Sequence, residues 1–289
     1  MKKITPHVVE ADLGRRHPWL QKGRTRDGDS HFAVCPYCEN PIQLKGLYHR
    51  NAGGTRPYGS HVGEPVEGFA FDGADHEFCP FRYKRDRPDR NARRPRGAMG
   101  MHLVEMAVSE FDRIVLILRE DLGFRFSNLF ARRMLEQWFD SGGYLYTGAH
   151  LRNLPWMIAY FGPSQNLFGQ PIGRNGDMAA AVRKIVPNAV ISDEGRLVGG
   201  ESWIRLDLQC LHHRIEAKPD GTLEERMDAT VRDFTDTNVP ERAPLVHRSR
   251  ITFRPEAFEA LVNTAPGKAR RDEKLLEIAA LVAGEKIGG

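Results

Sequence analysis

The chain has 289 residues, of which 40% are hydrophobic and 28% charged, a composition typical of globular proteins that excludes a disordered or collagen-like chain. It contains no run of eighteen apolar residues, and its first six residues lack the apolar core of a signal peptide, so we expect a cytoplasmic protein with no membrane partner. The formal net charge is +4, and the four cysteines are too few for a disulfide scaffold.

The first predicted element is a short strand, residues 31–34, which leads directly into a cysteine pair. Cys35 and Cys38 have the C-x2-C spacing that lets two thiolates face one metal ion. His76 and Cys79 form a second pair with the same spacing, and His61 is an alternative to His76. Three sulfurs and one nitrogen favour a structural Zn²⁺ ion with no open position for water.

The segments Cys35-Pro36-Tyr37-Cys38 and Cys79-Pro80 resemble the knuckles of zinc-ribbon and treble-clef modules. This resemblance covers about 45 residues and implies a small zinc-binding module of a kind frequent in proteins that handle nucleic acids. The 37 residues between the two pairs make a longer insertion than compact zinc motifs have. For the rest of the chain there is no such resemblance.

A strongly basic run follows the last proposed metal ligand. Arginine carries a planar fork of donors that suits phosphate oxygens, so we expect this run to contact nucleic acid. A solvated linker is the alternative interpretation. The proposed nucleic-acid-binding residues are Arg82, Lys84, Arg85, Arg87, Arg90, Arg93, Arg94 and Arg96.

Helices are predicted next. Apolar residues at three- and four-residue intervals predict an amphipathic helix over about 100–120. A second helix is predicted to begin after Ser127 as its N-cap and to end at Gly142. A short buried helix around residues 156–159 and a helix over residues 177–186 complete this part.

Strand patterns dominate the following part. The alternation of apolar and polar residues in 203–210 predicts a half-buried strand. The candidate partner strands are 213–218, 227–234 and 245–253. The last two predicted helices are 255–262 and 274–282. The sequence therefore predicts an α+β protein with a zinc-ribbon-like module (1–81), a basic connector (82–98) and a mixed domain with helices first and an antiparallel sheet later (99–289).

One set of residues could carry catalysis. Asp207 together with Glu216 and Lys218 resembles the core of Mg²⁺-dependent nucleases, in which carboxylates hold the cation and a lysine acts at the phosphate. That arrangement requires the chain to turn near residues 211–213. The alternative is that these charges lie on the solvent face of a sheet.

The leading prediction is a zinc-stabilised nucleic-acid-binding protein, with DNA as the favoured partner, rather than an enzyme. The module type suggests a subunit of a larger assembly in antiviral defence or in a mobile element. Two further hypotheses are a Mg²⁺-dependent nuclease and a zinc-containing scaffold subunit that binds protein.

Overall fold

The computed structural model of the protein describes residues 4–25, 28–48, 57–79, 81–82, 88–219 and 222–287. Its chain divides into two compact units. Unit 1 contains residues 1–84 and 94–101, and unit 2 contains residues 85–93 and 102–289. The segment 82–98, predicted as one connector, is thus shared between the two units. No described helix is long and apolar enough to cross a membrane.

Unit 1 is built on a four-stranded antiparallel sheet in the order β1-β2-β3-β4. Its elements are α1 (Pro6–Asp12), β1 (Leu20–Thr25), β2 (Gly28–Val34), β3 (Pro41–Lys45), β4 (Tyr58–His61) and α2 (Gly73–Glu77). The helix α1 packs against the sheet through Val9, which joins Leu44 and Leu47 in a small apolar cluster. Phe32 is buried beside Phe69, with ring centroids 6.0 Å apart.

Unit 2 places helices on one face of a second antiparallel sheet, and that sheet has the order β10-β9-β8-β5. The helix α6 contacts α4, α5 and strand β8, and all its side chains are buried. The helix α7 contacts β10. The elements of this part of the chain are α3 (Ala98–Ser109, which begins in unit 1), α4 (Phe111–Asp121), α5 (Asn128–Asp140), α6 (Leu154–Phe161), β5 (Gln165–Asn166), α7 (Asp177–Ile185), β6 (Ala189–Ile191), β7 (Leu197–Gly199), β8 (Leu206–Ala217), β9 (Leu223–Asp233), β10 (Leu245–Thr252), α8 (Pro255–Val262) and α9 (Glu273–Ile287).

The described elements confirm the α+β class, with helices before the main sheet. The Ser127 hydroxyl accepts a hydrogen bond from the Phe130 N–H, as an N-cap does, and Gly142 follows the helix with φ +60°. The single helix predicted over 100–120 is wrong. The chain leaves helical geometry at Glu110 (φ −120°, ψ 18°), whose carboxylate binds Arg113 at 2.6 Å, and two helices result.

The predicted strands 203–210 and 213–218 form one strand, β8. A β-bulge interrupts its pairing with β9 between Leu211 and Arg214, and His212 has φ +59° at that point. A bulge inserts one residue and shifts the alternation of side chains without reversing the chain. The strand therefore continues where the nuclease hypothesis requires a turn.

Candidate metal centre

A hairpin between β2 and β3 positions the first two cysteines. The Cys35 N–H donates to the Asn40 carbonyl, and the Glu39 N–H donates back to the Cys35 carbonyl, each at 2.9 Å. Glu39 has φ +55°, which closes the turn in the left-handed region. The side-chain amide of Asn40 donates to the Cys38 carbonyl and its side-chain oxygen accepts from the Asp72 N–H, so this buried residue ties the turn to the start of α2.

Two other elements supply the remaining members of the cluster. His61 ends β4, where it pairs in register with Ile42 of β3. Cys79 follows α2 and begins a turn closed by the Arg82 N–H. The ring of Tyr37, inside the first knuckle, meets Phe81 edge-on at 4.7 Å. Strand pairing and this aromatic contact thus bring three distant parts of unit 1 together.

The ligand atoms of Cys35, Cys38, His61 and Cys79 all lie within 4.8 Å of one another, so the cluster could hold a metal ion. The Sγ atoms of Cys35 and Cys79 are 3.8 Å apart, and Cys38 Sγ is 3.3 Å from His61 Nε2. A tetrahedral zinc ion with ordinary bond lengths separates two sulfurs by about 3.8 Å and a sulfur from a nitrogen by about 3.5 Å. The donor set therefore suits Zn²⁺ in chemistry, and these two distances agree with its bond lengths.

Electrostatics in the cluster also favours a cation. Hydrogen bonds with Cys35 and Cys79 hold the pKa of Cys38 far below its usual range, whereas hydrogen bonds with Cys35 and Cys38 raise the pKa of Cys79. Burial acts to lower the pKa of His61, but the two neighbouring sulfurs raise it to about 9. Three buried thiols this close cannot all ionise without a positive charge between them, and a divalent cation would supply it.

His76, the favoured histidine of the sequence prediction, is not part of the cluster among the described residues. Its Nδ1 lies 2.6 Å from an Arg82 guanidinium nitrogen, which can only donate, so Nδ1 accepts and the ring proton sits on Nε2. A protonated Nε2 has no lone pair for a metal. The ring packs 5.3 Å from that of His61, so His76 supports the alternative ligand rather than replacing it.

The basic run is largely occupied by contacts within the protein. Arg90 donates to the Tyr160 carbonyl at 2.9 Å and lies over that ring. Arg93 donates to three backbone carbonyls, and Arg94 forms a buried ion pair with Asp75 at 2.8 Å. These contacts hold part of the donors of the three arginines within the protein, and phosphate binding by the run stays a prediction. Arg96 and Arg82 are exposed, and Lys84, Arg85 and Arg87 lie outside the described residues.

The nuclease residues do not form a site. Asp207 is buried and accepts hydrogen bonds from Arg205 and from Ser164, the latter at 3.2 Å. Glu216 is nine residues further along the same continuous strand, about 30 Å away at the usual rise per residue. Glu216 pairs with Arg226, and Lys218 pairs with Glu224 at 3.0 Å. One Mg²⁺ ion cannot bridge carboxylates at that separation, so the structure does not bring Asp207 and Glu216 together around one cation.

Sequence reasoning missed a buried polar network in unit 2. The carboxylate of Glu225 lies 2.7 Å from His150 Nε2, 3.1 Å from His213 Nε2 and 2.8 Å from the Asn153 side-chain nitrogen. The Tyr146 hydroxyl lies 3.1 Å from the other ring nitrogen of His213. All five residues are buried. The alternation of side chains along the strand could have revealed Glu225, since it lies on the same inward face of β9 as Met227, Ala229 and Val231.

Comparisons of the chain with protein-family models, with curated proteins and with solved structures find no match.

Proposed function

We propose that this chain is a zinc-stabilised nucleic-acid-binding protein with duplex DNA as its partner. The observation that carries the proposal is the buried Cys35, Cys38, His61 and Cys79 cluster, whose donor set and spacing suit a structural zinc ion. Its C-x2-C knuckle resembles those of modules frequent in nucleic-acid-binding proteins. A place in a defence or mobile-element assembly stays a prediction from the module type.

Zinc content and its consequence for folding test the first half of the proposal. We expect one zinc ion per chain, and chelation is expected to unfold unit 1, because the free energy of metal binding is part of its folding free energy. Cys35→Ser should act like the chelator. A metal-replete, fully reduced preparation that contains well under one zinc ion per chain would contradict this half.

Two histidine variants test the ligand set. His61→Ala removes a proposed ligand and should abolish stoichiometric zinc binding. His76→Ala is the matched control, because it removes a neighbouring ring that is not a ligand and should weaken zinc binding by about 10- to 100-fold at most. A competition titration with a chromogenic chelator measures both affinities, and a greater loss with His76→Ala would reverse the assignment.

Binding of the zinc-loaded full chain to a labelled duplex DNA tests the second half. We expect retention at low salt and a steep loss of affinity with added salt, because phosphate contacts release counterions. Fluorescence anisotropy at salt concentrations from about 50 to about 300 mM gives the slope of log affinity against log salt. Absence of binding at low salt, with zinc present, would contradict a nucleic-acid function and leave the protein-binding scaffold as the better hypothesis.

A further inference from the structure

The outward face of the second sheet carries a concentrated group of arginines. Its four members, Arg214 on β8, Arg226 on β9, and Arg248 and Arg250 on β10, are called the arginine face below. They line one depression of about 400 Å³. The helices α6 and α7 contact the strands of this sheet, and the arginine face is the polar side of it.

Charge on the arginine face is only partly compensated. Arg226 pairs with Glu216, and Arg248 pairs with Asp228. The side chains of Arg214 and Arg250 form no ion pair or hydrogen bond with other described residues. Arg250 lies across from Asp228 in the strand register, but that carboxylate already pairs with Arg248. Four arginines thus share the carboxylates of Glu216 and Asp228, so the depression, which is open to solvent, keeps an excess of two positive charges.

The strand register places like charges opposite each other. Arg214 of β8 lies directly across from Arg226 of β9. Such a pair is destabilising in an antiparallel sheet, and a hydrophobic or oppositely charged residue would suit folding better. The buried Nε of Arg226 also has no hydrogen-bond partner among the described residues. The cost of the like-charge pair would be offset by an anion that binds between these guanidinium groups.

We propose that the arginine face binds the phosphate backbone of duplex DNA, an inference that rests on the proposed nucleic-acid function and gives it a location. Arg214 and Arg250 lie two strands apart and are offset by two residues, a separation of about 12 Å between their Cα atoms. This distance lets the two side chains reach different phosphates of one duplex. Arginine forks bind phosphate oxygens in pairs, so the contacts carry affinity rather than base specificity.

The lining of the depression favours a duplex over a single strand. Within the part of the chain that the structure describes, the lining consists of charged residues, His212 and Met227, with no Trp, Tyr or Phe. Proteins that bind single strands without sequence preference use exposed aromatic rings, on which successive bases stack. A surface without such rings can neutralise phosphates but offers no platform for unpaired bases.

The test compares two double variants of the zinc-loaded full chain, with a labelled 30-base-pair duplex DNA, about three helical turns, as the probe. In the first variant, Arg214→Gln and Arg250→Gln remove the two unpaired cations of the arginine face. In the second, Arg183→Gln and Lys184→Gln remove two exposed cations of α7, which contacts the strand β10. Both variants lower the net charge by the same amount, so they separate a local site from overall charge.

We expect the first variant to flatten the slope of log affinity against log salt by about 1.8, because each lost phosphate contact removes about 0.9. In 0.1 M salt this corresponds to a roughly 60-fold weaker Kd, since the plots of log affinity against log salt for the wild type and the variant converge near about 1 M salt. The second variant should stay within about threefold of the wild type. The Tm of the first variant should be unchanged or higher, because the like-charge pair is removed.

Three results would overturn the inference. Equal weakening by both variants would show that only net charge matters, and an unchanged slope in the first variant would show that DNA binds elsewhere. Tighter binding of a single strand of the same length, or of duplex RNA, would overturn the choice of duplex DNA. These outcomes differ from failure of the proposed function, in which the wild type binds no nucleic acid at all.

Discussion

Removal of the Glu225 carboxylate should strongly destabilise unit 2. In Glu225→Ala, three buried donors lose their acceptor, namely the side-chain nitrogens of His150, His213 and Asn153. An unsatisfied buried donor costs about 1–3 kcal/mol, and breaking a buried charged network by deleting one partner costs about 3–5 kcal/mol. We expect a loss of about 4 kcal/mol in the free energy of unfolding, or about 10 °C in Tm for a unit of this size.

The same network should make stability depend on pH. Burial acts to raise the pKa of Glu225, but His150 and His213 lower it by more than burial raises it. The native carboxyl therefore has a pKa below its ordinary value. Burial lowers the pKa of His150, which outweighs the nearby carboxylate. The unfolded chain therefore binds protons that the native protein does not bind. Stability should be complete above about pH 6.5 and fall as the pH decreases, first through His150 and below about pH 4.5 also through Glu225.

Thermal and urea denaturation from about pH 7.5 to about pH 4 would measure the stability loss in Glu225→Ala and the pH dependence of the wild type. Each group contributes a slope of at most about 1.4 kcal/mol per pH unit. Glu224→Ala is the matched control, because this neighbouring carboxylate forms only a half-exposed pair with Lys218 and should cost less than about 1 kcal/mol. Equal destabilisation by the two alanine variants, or a wild-type stability that rises toward pH 5, would refute the reasoning.

Two arginines of the basic run should matter for folding rather than for binding. Arg93→Ala leaves three backbone carbonyls without a side-chain donor, and we expect a loss of about 2–3 kcal/mol in urea denaturation, with DNA affinity unchanged below the melting range. Arg94→Ala leaves Asp75 as a buried carboxylate without its ion-pair partner and should cost about 3–5 kcal/mol, whereas the exposed Arg96→Ala should change stability by less than about 0.5 kcal/mol. A variant of Arg94 that melts with the wild type while losing affinity for DNA would contradict this assignment.

Two of the cysteines were predictable because their arrangement is local, whereas Cys79 joins them from a distant part of the chain. Cys35 and Cys38 are three positions apart in one hairpin turn, so spacing alone indicates a common ligand. The fourth member depends on non-local contacts. His61 reaches the cluster through the pairing of β4 with β3, while His76 has the expected spacing from Cys79 but its Nδ1 accepts from Arg82. Spacing cannot reveal which histidine nitrogen already accepts a hydrogen bond.

The strand β8 also shows that a local sequence pattern does not determine non-local contacts. Its alternating pattern predicted strands on both sides of residues 211–213, and both exist. Whether the chain turns or only bulges there depends on pairing with β9, which continues on either side of His212. A turn would have brought Asp207 and Glu216 together, and the bulge separates them along one strand. The catalytic hypothesis therefore depended on one backbone conformation that no sequence period specifies.

Charge density along the chain is a poor guide to charge on the surface. Arg90, Arg93 and Arg94 are close in sequence, yet backbone carbonyls, an aromatic face and a buried carboxylate use their donors. Arg214 and Arg250 are 36 residues apart and become neighbours only through the sheet. An arginine binds a phosphate only if its N–H groups do not already donate within the native protein, and tertiary contacts determine whether they do. For this chain, that condition shifts the expected phosphate contacts from the basic run to the arginine face.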